Sequence, residues 1–237
     1  MSLQAKVVVV TGAGAGIGEA AALEYGRRGA HVVVTDIDLE AASRTFEAIR
    51  AAGGTAVARR MDLRVRREVS DAVNGAVEEF GRLDILANVG AVYPQCRIAE
   101  MTDEFWDNVF AVDLQGPLFA CQAALPHLQK SRGVIVNVAS GAAFYPIVGL
   151  AAYSAAKAGL IALGRSLALE ADGAVRVNTV VPGPTRTQGA PGNIPVPLLG
   201  RSLDPKEIAD LIVWLSSDAA GAVNGALFRV DGGHMMI

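Results

Sequence analysis

Short β-branched runs alternate with helix-periodic stretches along nearly the whole chain, and this alternation limits the fold more than any other feature. The runs are "KVVVVT" (6–11), "HVVVTD" (31–36), "TAVARR" (55–60), "DILANV" (84–89), "GVIVNVA" (133–139), "VRVNTVV" (175–181) and "LFRV" (227–230). Between them, segments of helical period lie at about 17–28, 39–52, 66–80, 103–130, 151–171 and 205–217. Strands buried on both faces carry near-continuous apolar runs, and strand–helix–strand alternation joins them in parallel. The expected architecture is therefore α/β: a doubly wound, seven-stranded parallel sheet in the order 3-2-1-4-5-6-7, with helices on both faces. No internal repeat or linker divides the chain, so residues 1–237 are read as one domain, with 51% hydrophobic residues to fill its core.

One stretch breaks the rhythm. "GPTRTQGAPGNIPVPLLGRSLD" (183–204) has no clear period and follows the sixth strand, at the sheet edge where open α/β folds bind ligands. A loop that long is either a substrate lid, at about 184–204, or an ordinary long connection.

Composition excludes several classes. A formal charge of −3 argues against nucleic acid or an anionic membrane as partner. The basic run at Arg59–Arg67 mixes with acids and lacks aromatics, as a solvated helix start does. Cys96 and Cys121 have no metal spacing, and His31, His127 and His234 lie far apart, so no metal site is expected. With no signal-like or membrane-spanning segment, the reading is a soluble, cytoplasmic protein.

The first strand runs straight into "TGAGAGIG": Thr11, Gly12, Gly14, Gly16, Ile17 and Gly18, with helix formers from Glu19. Glycines there let backbone approach a diphosphate at the positive end of a helix, and the strand-to-helix setting is what gives such a run meaning. It lacks Gly-Lys-Ser/Thr, so it is not a triphosphate loop. Asp36 ends the second strand, 18 residues beyond Gly18, where a carboxylate accepts both ribose hydroxyls and repels a 2′-phosphate. Ile37 and Asp38 follow it without a cation, so NAD is favoured over NADP. Asp62 and Leu63, after the third strand, are placed to meet the adenine, Asp62 alternatively to cap a helix.

"LAAYSAAKAGLIAL" (150–163) holds one phenol, Tyr153, and one ammonium, Lys157, a helical turn apart in an otherwise apolar stretch. A tyrosinate working near neutral pH needs its pKa lowered by about three units, roughly 4 kcal/mol. A cation about 4 Å away at an effective dielectric near 20 supplies that order of energy. The expectation is that Lys157 acidifies Tyr153. "NVASGAA" is not GxSxG and no His supports it, which excludes a serine hydrolase.

The glycine run after strand one, Asn88 after the fourth, Ser140 on the fifth, the YxxxK pair, Pro182-Gly183 after the sixth and the terminal "VDGG" (230–233) together resemble the short-chain dehydrogenase/reductase family, essentially throughout the chain. The resemblance implies a Rossmann fold, a nicotinamide cofactor and Ser140, Tyr153 and Lys157 as catalytic residues, with Lys157 also holding the nicotinamide ribose. It implies that Asn88 and Gly90 approach the adenosine ribose. It also implies that the turn of Pro182, Gly183, Thr185 and Thr187 seats the nicotinamide; a phosphate contact by Thr187 is a further expectation for this chain. Two positions depart from the family pattern. Ala87 replaces the first Asn of Asn-Asn-Ala-Gly, which should leave fewer cross-strand bonds, and Asp113 stands where the family has the Asn of its proton relay.

Val92, Tyr93, Pro94, Ala142, Phe144, Tyr145, Ile147, Val148 and Ile194 are expected to line a mostly apolar pocket, unless Arg97, Arg186 or Arg201 points inward. This favours a neutral secondary alcohol and its ketone. A 3-oxoacyl-thioester reductase and a non-catalytic NAD-binding regulatory protein are the alternatives. The apolar 151–171 and 118–129 segments need cover on both sides, so a homo-oligomer, tetramer or dimer, is expected.

Overall fold

The computed structural model describes residues 3–145, 147–187 and 196–236. Seven strands form one parallel sheet in the order β3-β2-β1-β4-β5-β6-β7, as the alternation requires. They are β1 (Val7–Thr11), β2 (His31–Asp36), β3 (Thr55–Arg60), β4 (Ile85–Asn88), β5 (Val134–Val138), β6 (Arg176–Pro182) and β7 (Leu227–Val230). The order reverses beside β1, where β1 pairs with β2 on one side and β4 on the other. A crevice opens at such a point, outside the carboxyl ends of the strands.

The pleat explains the valine runs. Val8, Val10, Val32 and Val34 pack on one face beneath α1 (Gly16–Arg27), α2 (Leu39–Ala51) and α7 (Pro205–Leu215). Val7, Val9 and Val33 pack on the other beneath α3 (Arg66–Phe80), α5 (Gly116–Ser131) and the end of α6 (Ala151–Glu170). Each fully buried Val contributes about 1.5–3 kcal/mol relative to exposure, so the register cannot slip by one residue without exposing both sets. Among the described residues no helix is long and apolar enough to cross a membrane.

The expected helix at 103–130 is broken. It consists of α4 (Asp103–Phe110), a π turn over Ala111–Gln115, and α5. Pro117 has no N–H for the Asp113 carbonyl four residues back or the Val112 carbonyl five back, so the regular ladder cannot run through this point. A π turn takes up the extra residue, and it buries Asp113 completely.

The base of the 184–204 stretch is closed by a bridge between Thr185 and Leu203. Its expected lid centre, including Ile194, lies outside the described residues.

Candidate active site

A cavity of about 320 Å³ lies along the carboxyl ends of the central strands. At one end it is walled by Gly12, Gly16, Ile17, Gly18, Asp36 and Gly90, and at the other by Ser140, Tyr153, Lys157, Pro182, Gly183, Thr185 and Thr187. Gly14, Ile37, Asp62, Leu63, Asn88 and Asp113 do not line it.

At the glycine end, Gly12 has φ +62° and faces the Gly90 backbone so closely that a Cβ would overlap it. The turn after β4 is drawn in by Thr11 Oγ1, which accepts the amide protons of Val89 and Gly90 at 2.9 and 3.0 Å. Helix α1 then starts at Ala15 with no side-chain cap, leaving its first amide groups available to an anion. Asp36 accepts the Gly14 amide at 2.9 Å and the Asp38 amide at 3.0 Å, which fixes the carboxylate at the cavity edge.

Several residues expected around this end have other work. Asp62 is clamped by Arg64, which donates to Oδ2 at 2.7 Å and holds the carboxyl below its ordinary range. It is not a helix cap either, since the N-cap position of α3 is Val65. Leu63 is buried against Gly90 and Gly116, Ile37 is exposed, and Asp38 caps α2 through the Glu40 and Ala41 amides. Asn88 lies inside the sheet and donates to Asn137 Oδ1 at 2.9 Å, while Asn88 Oδ1 and Asn137 Nδ2 find no partner among the described residues.

At the other end, Ser140 follows β5, accepts the Ala142 amide at 3.1 Å and hydrogen-bonds the Tyr153 phenol through its hydroxyl. Lys157 is 1% exposed and donates to the Val138 carbonyl at 3.2 Å. An ammonium has three N–H groups, so two remain for a ligand. Thr185 Oγ1 donates to the Gly183 carbonyl at 2.9 Å, and Thr187 Oγ1 lies 3.3 Å from the Tyr93 hydroxyl.

The Tyr153–Lys157 relation differs from expectation. The ammonium lies over the phenol ring, 5.7 Å from its centroid. Burial pushes the Tyr153 phenol well above its ordinary value, the Ser140 hydrogen bond opposes this, and the Asp113 and Tyr93 charges add to it. Desolvation outweighs the protein's own stabilising contacts, so these residues alone keep the phenol protonated at neutral pH. Lys157 is itself pushed down by burial, with Asp113 opposing.

Asp113 Oδ1 accepts the Val92 amide at 2.9 Å, and Oδ2 has no partner among the described residues. Burial raises its pKa to about 6, with Lys157 and the Val92 amide opposing. The carboxyl is thus held above the ordinary carboxylate range, and its charge acts on both Tyr153 and Lys157.

Of the expected pocket residues, Tyr93, Ala142, Tyr145 and Ile147 line the cavity. Phe144 and Val148 are largely exposed, and Val92 and Pro94 stand outside the wall. No arginine lines it among the described residues: Arg186 pairs with Asp204 at 2.7 Å and Arg201 with Glu207 at 2.8 Å. His234 is a wall residue that the sequence did not mark. Its only signal there was its place just after the terminal Gly232-Gly233 pair.

An open doubly wound sheet, a glycine loop at an uncapped helix start and a Ser–Tyr–Lys set in one cleft define a nucleotide-dependent oxidoreductase. The chain belongs to the short chain dehydrogenase family, which it matches over residues 6–193. It is 38% identical to a meso-2,3-butanediol dehydrogenase of Serratia marcescens over 242 residues, covering 98% of this chain and 96% of the relative. It is 33% identical to a 3-oxoacyl-acyl-carrier-protein reductase of Thermotoga maritima, covering 98% of this chain and 99% of that one. The solved structure of a dehydrogenase/reductase from Sinorhizobium meliloti 1021 superimposes with a TM-score of 0.94 at 34% identity, covering 98% of this chain and 96% of that one.

The residues present fit the nicotinamide dinucleotide that the family uses. Gly12 and Gly18 pack the loop so closely that an added Cβ would meet backbone, the α1 amides are uncapped, and the buried Lys157 ammonium has one acceptor among the described residues.

Proposed function

We propose that the protein is an NAD(H)-dependent dehydrogenase that interconverts a secondary alcohol and its ketone. The observation that carries this reading is the convergence of Ser140, Tyr153 and Lys157 on the cavity whose far end holds the glycine loop and Asp36.

Gly12, Gly14, Gly16, Ile17 and Gly18 would hold the diphosphate through backbone, and Asp36 the adenosine ribose. Pro182, Gly183, Thr185 and Thr187 would seat the nicotinamide, with Lys157 offering its free N–H groups to the adjoining ribose. NAD is preferred over NADP because Asp36 would repel a 2′-phosphate, and no described Arg or Lys lines that end of the cavity. When bound, the nicotinamide supplies the hydride acceptor or donor and, in its oxidised form, a positive charge. In reduction, Tyr153 gives its proton to the carbonyl oxygen while Ser140 donates a hydrogen bond to the same oxygen. In oxidation, Tyr153 takes the hydroxyl proton in its ionised form, which the positive charge of a bound oxidised nicotinamide would favour beside Lys157.

The absence of arginine from the described wall supports a neutral substrate. The neutralised Arg186 and Arg201 offer no basic patch for an acidic carrier, which counts against the thioester reductase. A non-catalytic sensor would have no use for all three of Ser140, Tyr153 and Lys157. A cytoplasmic location and a dimer or tetramer belong to the same reading, the assembly being supported by Ala158, Ala162 and Leu169 on an exposed face of α6.

The test is nucleotide-coupled turnover. NADH formation from a panel of secondary alcohols is measured beside NADPH consumption with ketones and 3-oxoacyl thioesters. The proposal expects turnover of alcohols with NAD⁺. Tight NADH binding with no turnover of any substrate would replace it with the sensor.

A further inference from the structure

The C-terminal turn His234–Met236 puts an imidazole in the wall of the substrate end. Asp231 holds the turn in place: its carbonyl accepts the His234 amide at 3.0 Å, and its carboxylate accepts the Gly233 and Met235 amides at 3.0 and 3.1 Å. Met235 packs against the small apolar cluster of Ala139, Ile161 and Val181. The His234 ring is thus fixed, 3% exposed, with its edge against Tyr145 at 5.4 Å between centroids.

Its hydrogen-bonding capacity is unused. Nδ1 is buried without a partner among the described residues. A neutral imidazole carries one N–H and one lone pair, and burying them unmet is unfavourable. The cavity wall also holds the apolar Ala142, Ile147 and Leu150, and Tyr145, whose ring lies against the imidazole, hydrogen-bonds neither ring nitrogen. Ser140 and Tyr153 are committed to the reacting oxygen in the proposed reaction, so the ring is left to serve a different atom.

We propose that His234 is a substrate-positioning residue that hydrogen-bonds a second oxygen on the substrate, making the preferred substrate a diol or hydroxyketone rather than a simple alcohol. The inference rests on the dehydrogenase reading and deepens it. A neutral second oxygen suits the site better than a carboxylate, because Lys157 is the one lysine or arginine in the described wall and it is directed to Val138.

The experiment compares cyclohexane-1,2-diol with cyclohexanol, and hexane-2,3-diol with hexan-2-ol, in the wild-type protein, H234L and H234Q, with NAD⁺ and NADP⁺ each in excess. Wild type is expected to prefer each diol. In H234L the diol-to-alcohol ratio of kcat/KM falls about 10- to 100-fold, as for a site that loses a hydrogen bond to substrate. The fall should lie mainly in KM, since the bond forms in ground and transition states alike. H234Q, whose carboxamide can replace the lost bond, recovers most of the ratio. Equal losses on both members of a pair would reduce His234 to packing and overturn the proposal, as would an unchanged ratio in H234L. A 4-hydroxycyclohexanecarboxylate preferred over the diols would overturn the neutral class. If wild type oxidises none of the four with either nucleotide, the dehydrogenase reading fails and takes this proposal with it. Turnover with no diol preference sinks this proposal alone.

Discussion

Asp113 sets burial directly against charge. Its carboxyl is raised from 3.8 to about 6 because desolvation exceeds what Lys157 and one amide return. The sign follows from proton counting. Between the unfolded value and about 6 the native state holds a proton that the unfolded chain has lost. Stability therefore falls as pH rises through that window and is flat above it. The charge costs about 3 kcal/mol above the window, so Asp113→Asn should stabilise the protein by about 1–3 kcal/mol at pH 8 and by little near pH 4. Urea unfolding at the two pH values checks this, and an equal effect at both would refute it. Because the Asp113 charge also raises Tyr153, the same variant should keep or increase activity and shift the rise of the oxidation rate to lower pH. A large loss of activity with nucleotide binding intact would contradict that.

Among elements, the β1–α1 loop carries the sharpest steric demand. Gly12 combines φ +62° with contact to the Gly90 backbone, whereas Gly81 has φ +76° with nothing within 4 Å of where a Cβ would stand. Gly81→Ala should cost about 1–2 kcal/mol, the conformational penalty alone. Gly12→Ala should cost about 2–4 kcal/mol and weaken NADH binding at least about tenfold, because the β4 turn must also retreat. Thermal melts with and without NADH separate the two; equal behaviour would mean the close approach is unimportant. The sequence showed Gly116-Pro117 inside a helical period, but not that the missing N–H would turn Asp113 inward, since that depends on which carbonyls the ladder leaves behind.

At the scale of the whole molecule, the sheet order was legible because Val7 to Val10 and their counterparts feed two cores by simple alternation. That the glycine loop, Ser140, Tyr153 and Lys157 line one cleft was legible because strand ends and one helical turn place them there. Other features depend on contacts between residues whose spacing carries no signal. Arg64 captures Asp62 two residues away, His234 reaches the pocket from the far end of the chain, and burial rather than Lys157 dominates the acidity of Tyr153. Assembly is read from an exposed Leu169 on a helix otherwise rich in small residues. Sedimentation should give a multiple of the 24.6 kDa chain mass, reduced by Leu169→Glu. A monomer in the wild type would refute the oligomer.

The central claim is that Tyr153 moves the substrate proton in a cleft that binds the nucleotide independently of it. The most direct measurement is kcat for Tyr153→Phe beside its NADH affinity by calorimetry. In that variant kcat should fall about 10²- to 10⁴-fold, with affinity within about threefold of wild type, since the phenol contributes acid–base chemistry more than binding. Turnover surviving at near wild-type rate in that variant would contradict it.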